Sequence, residues 1–238
     1  MSKNCFHTLE SNLSFIRNLQ QYTEETINTV VVDSDSNDGT KEFCRSLELD
    51  WNNFKFIEED GLEIYLKTRI EKISHCRNVG IQNIKKDEDL IYIPLDMDIN
   101  LFEHTSPEEF ADLINYFINL DNTDGLFPFS FPFYYDIFAL RKNGWVNGNN
   151  VLLAHNLKSR FKIGSFIFNY FYVFRKQIKN KGFKNELIKV ESAFGGIGFY
   201  KLIKNKNYLY KVHEQDPNFY SEHIFFNKKF NKLYIKKD

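Results

Sequence analysis

The feature that most constrains this chain is the stretch Leu90 to Asn100, LIYIPLDMDIN. Leu90 to Leu95 carry no charge and are mostly apolar, which predicts a short strand buried on both faces. Pro94 sits near its end, where a missing N–H disturbs the ladder least. The polarity then flips to Asp96-Met97-Asp98. In extended backbone, residues two apart point the same way, so both carboxylates are expected to leave the strand end together. In open α/β sheets the carboxyl edge is where ligands bind. Two like charges there repel unless a cation lies between them or one carboxylate keeps its proton. Hard divalent ions accept such oxygens and take substrate phosphates as further ligands. A metal–diphosphate site is the chemical reading, and an Asp-rich loop after a strand is the plain one.

Composition narrows the classes. With 238 residues and 42% hydrophobic residues, the chain can build a sizeable core. Lys and Arg number 31 against 32 Asp and Glu, so no global basic field recruits nucleic acid. Cys5, Cys44 and Cys76 form no C-x-x-C pair, which argues for a reducing compartment and against thiolate metal sites. MSKNCFHTLESN has no apolar leader core, and no run approaches the roughly 18 apolar residues of a spanning helix. The expected location is the cytoplasm, with a peripheral position at the membrane also open.

Taken in order, Leu9, Leu13, Ile16 and Leu19 have helical spacing. Thr29 to Asp33 reads as a β-branched strand, followed by the turn formers Ser34 to Thr40 and a helix. Asn53 to Ile57 is the next expected strand. Thr68 and Glu71 form a capping box for a helix to about Lys85, with a stripe of Ile70, Ile73, Ile81 and Ile84. Arg77 lies on that stripe and must find a partner, reach a polar cavity or snorkel. Thr29–Asp33 and Leu90–Leu95 are expected to be neighbouring central strands. Ser106-Pro107-Glu108-Glu109 predicts another capped helix. Residues 126–141 read as β-like. Lys162 to Phe174 is aromatic and undecided between helix and strand; core packing is its expected role, and a membrane-facing patch is the alternative. Gly195 and Gly196 interrupt an apolar run, as at a bulge or a close backbone approach. Tyr208 to His213 reads as a strand, and a last helical turn is expected over Ile224 to Phe230.

Several blocks together resemble GT-A-fold glycosyltransferases, of the kind that builds capsules and lipopolysaccharide from nucleotide sugars. VVVDSDSNDGT resembles their first strand and turn, SHCRNVGI their A-R-N-x-G helix, and LDMD their D-x-D. YYDIFALR, SAFGGIGFYK and SEHIFFN resemble later blocks of such enzymes, so the likeness covers about residues 4 to 230. It implies a GT-A-like, Rossmann-type mixed sheet flanked by helices, one glycosyltransferase domain over 1–238. Residues 1–100 would be its nucleotide-binding half and 101–238 its acceptor-side half.

The resemblance also implies roles. Asp33, Asp35, Arg77, Asn78, Asp96, Gly195 and Gly196 would bind the donor. Asp96 and Asp98 would hold Mn2+ or Mg2+. Imidazole also suits Mn2+, which makes His223 the favoured further ligand and His213 the next, a structural histidine being the plain alternative. Glu222 and His223 stand where related inverting enzymes write E-D, so which acts as base, and whether the reaction inverts, stays open. The partners would be a nucleoside diphosphate sugar and a glycan or lipid-linked acceptor. One departure is clear: the family opens on an apolar strand before the first helix, and here the chain starts almost inside that helix. Either the true start lies upstream or the sheet lacks that strand. A non-catalytic nucleotide-sugar or glycan-binding domain is the competing expectation.

Overall fold

The structure is a computed structural model that describes residues 3–84, 88–100, 102–129, 133–160, 165–177 and 185–237. It is an α/β fold of Rossmann-like character, with helices flanking parallel and antiparallel strand pairs. The chain divides into two compact units, residues 1–121 with 202–209, and residues 122–201 with 210–238. The first unit thus runs to Asp121 and regains residues 202–209.

In the first unit, α1 (Phe6–Leu19) buries Leu9, Leu13, Ile16 and Leu19, the stripe expected from spacing. β1 (Thr29–Asp33) leads through α2 (Thr40–Asp50) to β2 (Phe54–Glu58), and the two strands pair in parallel with Asp33 opposite Glu58. After the short α3 (Leu62–Tyr65) comes α4 (Arg69–Gln82), whose Thr68/Glu71 capping box forms as predicted. Val32, Leu62 and Cys76 form the core between these elements. β3 (Leu90–Tyr92) precedes α5 (Pro107–Asn119), which starts at the expected Ser106/Glu109 capping box. The Phe15 ring stacks on Phe102 at 3.9 Å and meets Phe110 edge-on at 5.8 Å. That packing of α5 on α1 is why the unit runs past residue 100.

Two expectations for the central stretch are corrected. β3 covers only Leu90 to Tyr92 and its residues are half-buried, not buried on both faces. Pro94 lacks the N–H that a longer ladder needs. Nor are β1 and β3 neighbours, since β1 pairs with β2, the strand its own crossover helix delivers, and β3 is not in that sheet.

In the second unit, β4 (Gly125–Pro128) is followed by α6 (Asn150–Arg160), then by α7 (Ser165–Asn169), a π-helical turn (Tyr170–Phe174) and α8 (Arg175–Gln177). β5 (Leu187–Val190), β6 (Phe199–Leu202), α9 (Glu222–Asn227) and β7 (Leu233–Lys236) complete it. Its sheet includes the order β6-β4-β7-β5, with β4 and β7 parallel and the other pairs antiparallel.

Three further expectations change here. Of the β-like segment 126–141, only residues up to Pro128 are strand; residues 130–132 lie outside the described set. From Phe133 on the chain bends and turns, with Tyr134, Ile137, Ala139 and Leu140 buried. Tyr208 to His213 forms no strand, because its buried tyrosines come from ring packing. Within the second unit, Tyr210 stacks on Phe226 at 4.1 Å. The aromatic segment is helical where described, residues 162–164 lying outside, and Ile167 to Phe174 contributes no buried residue, against the expected core role.

Candidate functional site

In the first unit Asp33, Asp35 and Asp96 lie at the ends of strands or in the turns after them, and Arg77 and Asn78 lie on α4. Asp33, fully buried at the end of β1, accepts the Ser36 hydroxyl at 2.5 Å and the Ser36 N–H at 3.2 Å. Its carboxylate thereby holds the turn that follows. Asp35 sits in the left-handed region at φ 58°, a conformation Asp tolerates better than most residues. Its Oδ1 accepts the Gly61 N–H at 2.6 Å, and its own N–H donates to Asp60 at 3.2 Å. The turns after β1 and β2 are thus laced to each other. Asp60 also takes Lys41 at 2.5 Å, and this bond first of all holds its carboxyl below the ordinary value.

Arg77 does not snorkel. Its side chain is buried on α4, and one terminal nitrogen donates to Asp96 Oδ1 at 2.6 Å. Asn78, the next residue, is half-buried. Asp96 and Asp98 flank the buried Met97 in a turn, so the alternation of an extended strand does not apply to them. Each meets its own arginine of α4, Asp98 approaching Arg69 at 3.9 Å on the surface. Helix α1 fixes the turn, with the Thr8 hydroxyl donating to Met97 O at 2.6 Å and the buried Asn12 amide to Ile99 O at 2.9 Å. The sequence reading missed Thr8 and Asn12. Their signal was two polar residues one helical turn apart beside the apolar stripe.

A divalent ion fits this turn only as a partly open site. Two carboxylates stand within three residues, both reach solvent, and Arg77 engages just one oxygen of Asp96 among the bonds described. Such a pair suits an ion that keeps positions for phosphate oxygens and water. Among the described residues no group of three or more His, Cys, Asp or Glu side chains is arranged to hold a metal. The three thiols are equally unsuited: burial pushes Cys5 to about 11, Cys44 to about 12 and Cys76 to about 11.

In the second unit three separate sequence blocks meet. The buried Tyr134 hydroxyl accepts the Phe194 N–H at 2.9 Å, and Asp136 Oδ2 accepts the Gly195 N–H at 3.1 Å. The Arg141 N–H donates to Ser192 O at 2.8 Å. Asn227, fully buried on α9, donates to Ser192 Oγ and Ala193 O, each at 2.9 Å, and accepts the Tyr200 hydroxyl at 2.8 Å. The block from Tyr134 to Arg141 and the block on α9 therefore clamp Ser192 to Gly195 from two directions. Gly195 and Gly196 have φ of 81° and 88°, which only glycine adopts at little cost. The pair exists for the turn that these clamps hold. Arg141 is a further candidate: one of its terminal nitrogens is buried with no hydrogen-bond partner among the described residues. Burial draws its guanidinium below the ordinary value, yet arginine keeps its charge in proteins.

Glu222 and His223 open α9, with the Ser221 hydroxyl as N-cap. Their side chains lie 3.4 Å apart, Glu222 Oε1 to His223 Nε2. The His223 ring stacks on Phe194 at 3.7 Å and meets Tyr210 edge-on at 5.4 Å. Both its ring nitrogens are buried, so this arrangement offers no exposed nitrogen to an ion. His213 instead stacks on Tyr220 at 4.2 Å, with Nδ1 accepting the Asp216 N–H.

The chain matches no protein-family model, and no curated protein matches it significantly.

Proposed function

We propose that the chain is a metal-dependent glycosyltransferase that moves a sugar from a nucleoside diphosphate donor to a glycan or lipid-linked acceptor, working in the cytoplasm or at the membrane periphery. The observation that carries this reading is the Arg77–Asp96 bond at 2.6 Å. It joins the helix block SHCRNVGI to the LDMD turn, two motifs that each resemble such enzymes on their own. A buried guanidinium and two solvent-facing carboxylates make a surface for a diphosphate with its counter-ion.

In this reading Asp96 and Asp98 hold Mn2+ or Mg2+, and the bound ion would neutralise charge on the departing diphosphate. Asp33 and Asp35 shape the turn that receives the nucleoside, and Asn78 stands one residue from Arg77. Arg77 fixes the orientation of Asp96 and places a positive charge beside the turn that would receive the diphosphate. The Gly195–Gly196 turn would line a sugar pocket, and Glu222 or His223 would take the acceptor proton if the reaction inverts.

A second reading, a nucleotide-sugar or glycan-binding domain without catalysis, is favoured by one observation. Glu222 and His223 are both buried, which hides the expected base. A thermal-shift series of nucleotide sugars with and without Mn2+, followed by a donor-hydrolysis assay, separates the two. Stabilisation together with turnover supports the transferase. Stabilisation without turnover supports the binding domain, and no stabilisation by any donor rejects both.

A further inference from the structure

Ile167 to Phe174, IFNYFYVF, is apolar at seven of eight positions, yet none of its side chains is buried. Ile167, Tyr170, Phe171 and Phe174 are 41–55% exposed, and their spacing is i, i+3, i+4, i+7, one face of a helix. The helical run is not loose. The Asn150 amide donates to Tyr172 O, the Trp145 indole to Lys176 O, and α6 packs against it. A contiguous exposed apolar face on an anchored helix marks an interaction surface.

Charge names the occupant. Between Asp136 and Glu186 the sequence has no Asp or Glu, although the whole chain has 32, and it has ten Lys and Arg. Of these, Arg175 is exposed and lies over the Phe171 ring at 5.5 Å, and Lys158 is exposed on α6, the helix that packs against this segment. An apolar, aromatic helix face flanked by basic residues is what an anionic lipid surface binds: rings enter the headgroup boundary and cations meet phosphates. A sugar would ask for converging hydrogen-bond donors, whereas this face presents exposed apolar rings and an isoleucine. A second copy related by a twofold axis would set the same basic flanks against each other.

We propose that the face Ile167–Tyr170–Phe171–Phe174, with Lys158 and Arg175, docks the protein on anionic membrane surfaces. It makes specific the peripheral location offered above but stands on this face alone, not on sugar transfer. Among the described residues no helix is long and apolar enough to cross a membrane, so the attachment is interfacial.

The test is co-sedimentation of the full chain with phosphatidylcholine vesicles and with vesicles that also contain phosphatidylglycerol, at low and high salt, without donor or acceptor. Each basic residue near an anionic surface is worth roughly fivefold in partitioning. Binding is expected on the anionic vesicles only and should fall at high salt. Lys158→Glu with Arg175→Glu, and separately Ile167→Ser with Phe171→Ser, should each cut it at least about tenfold with an unchanged circular dichroism spectrum. Because the charge pair lies on the surface, it keeps the test decisive should the apolar pair fail to fold. No binding to anionic vesicles, equal binding by the charge-reversed variant, or a dimer that Phe171→Ser dissolves would overturn the proposal. Donor-induced thermal shifts are measured apart from this, so either result can fail alone.

Discussion

Arg77 reaches Asp96 from α4 across 19 residues of sequence, at 2.6 Å and from a nearly solvent-free position. This bond ties the Asp-x-Asp turn to the helix that packs on β1. It also explains why a cation can occupy the stripe of Ile70, Ile73 and Ile81. Removing one partner of a buried pair strands the other charge, at about 3–5 kcal/mol when both are enclosed. Asp96 is about one third exposed, so Arg77→Ala is expected to cost about 1–3 kcal/mol. Arg77→Lys keeps the charge but loses the planar fork. It should cost less stability yet clearly weaken the donor-induced thermal shift. A Lys variant that binds donor like the parent protein would confine Arg77 to a structural role.

Asp98 gives the complementary case. Its only described ion pair is the 3.9 Å approach of Arg69 on the surface, so Asp98→Asn should change stability by less than about 0.5 kcal/mol. If the turn holds an ion, the same variant should abolish the extra stabilisation that Mn2+ adds to donor binding. A Mn2+ effect that persists undiminished in Asp98→Asn removes this residue from the metal site.

Much of the first unit was legible because its signals are local. The Thr68/Glu71 and Ser106/Glu109 boxes, the β-branched run Thr29 to Asp33 and the stripe of α1 each depend on residues within a few turns of one another. Strand partnership was not legible. β1 chose β2, and a run of three ladder residues ahead of Pro94 could not announce its neighbour. β7 was missed although Leu233 and Ile235 alternate inward, because it is only four residues long and gains its place from β4 and β5. The clamps on Ser192 to Gly195 come from residues at least 34 positions away, a separation no spacing rule reaches. The exposed aromatic face misled for a related reason, since composition states that a residue is apolar but not what will cover it.

The α4 capping box carries a pH signature. Hydrogen bonds from Thr68, the side chain first and then the backbone N–H, hold the Glu71 carboxyl below its ordinary 4.5. A carboxyl depressed in the folded state contributes stability that is present above the unfolded value near 4.5 and is lost as pH falls through the folded value. Glu71→Gln retains a capping box without a titrating group. Thermal stability of the parent protein should therefore fall relative to Glu71→Gln as pH drops below about 4.5. Parallel curves for the two proteins from neutral pH to pH 3 would refute this role of Glu71.

The thiols make a redox prediction. Burial raises all three to about 11–12, and none is a disulfide partner. At neutral pH almost no thiolate exists to attack a reagent. Labelling of the native protein with a disulfide reagent should be slow and should track unfolding, with three equivalents reacting once denaturant is added. Rapid labelling of any one cysteine in the folded protein would mean that its site opens locally.

The clamped turn in the second unit allows the sharpest stability test. Tyr134→Phe keeps the packing of a fully buried ring but leaves the Phe194 N–H without its 2.9 Å acceptor. An unsatisfied buried donor costs about 1–3 kcal/mol. Gly195→Ala meets the Tyr134 hydroxyl at an ordinary 3.6 Å, so crowding is not its problem; φ of 81° is. Its expected cost is about 1–2 kcal/mol. At this chain length each should lower Tm by roughly 2–4 °C per kcal/mol. Because both changes act on one short turn, the double variant should lose less than the sum of the two, the mark of coupled neighbours. Strict additivity would show that the Tyr134 bond and the left-handed turn at Gly195 act independently, and the clamp would then be packing without coupling.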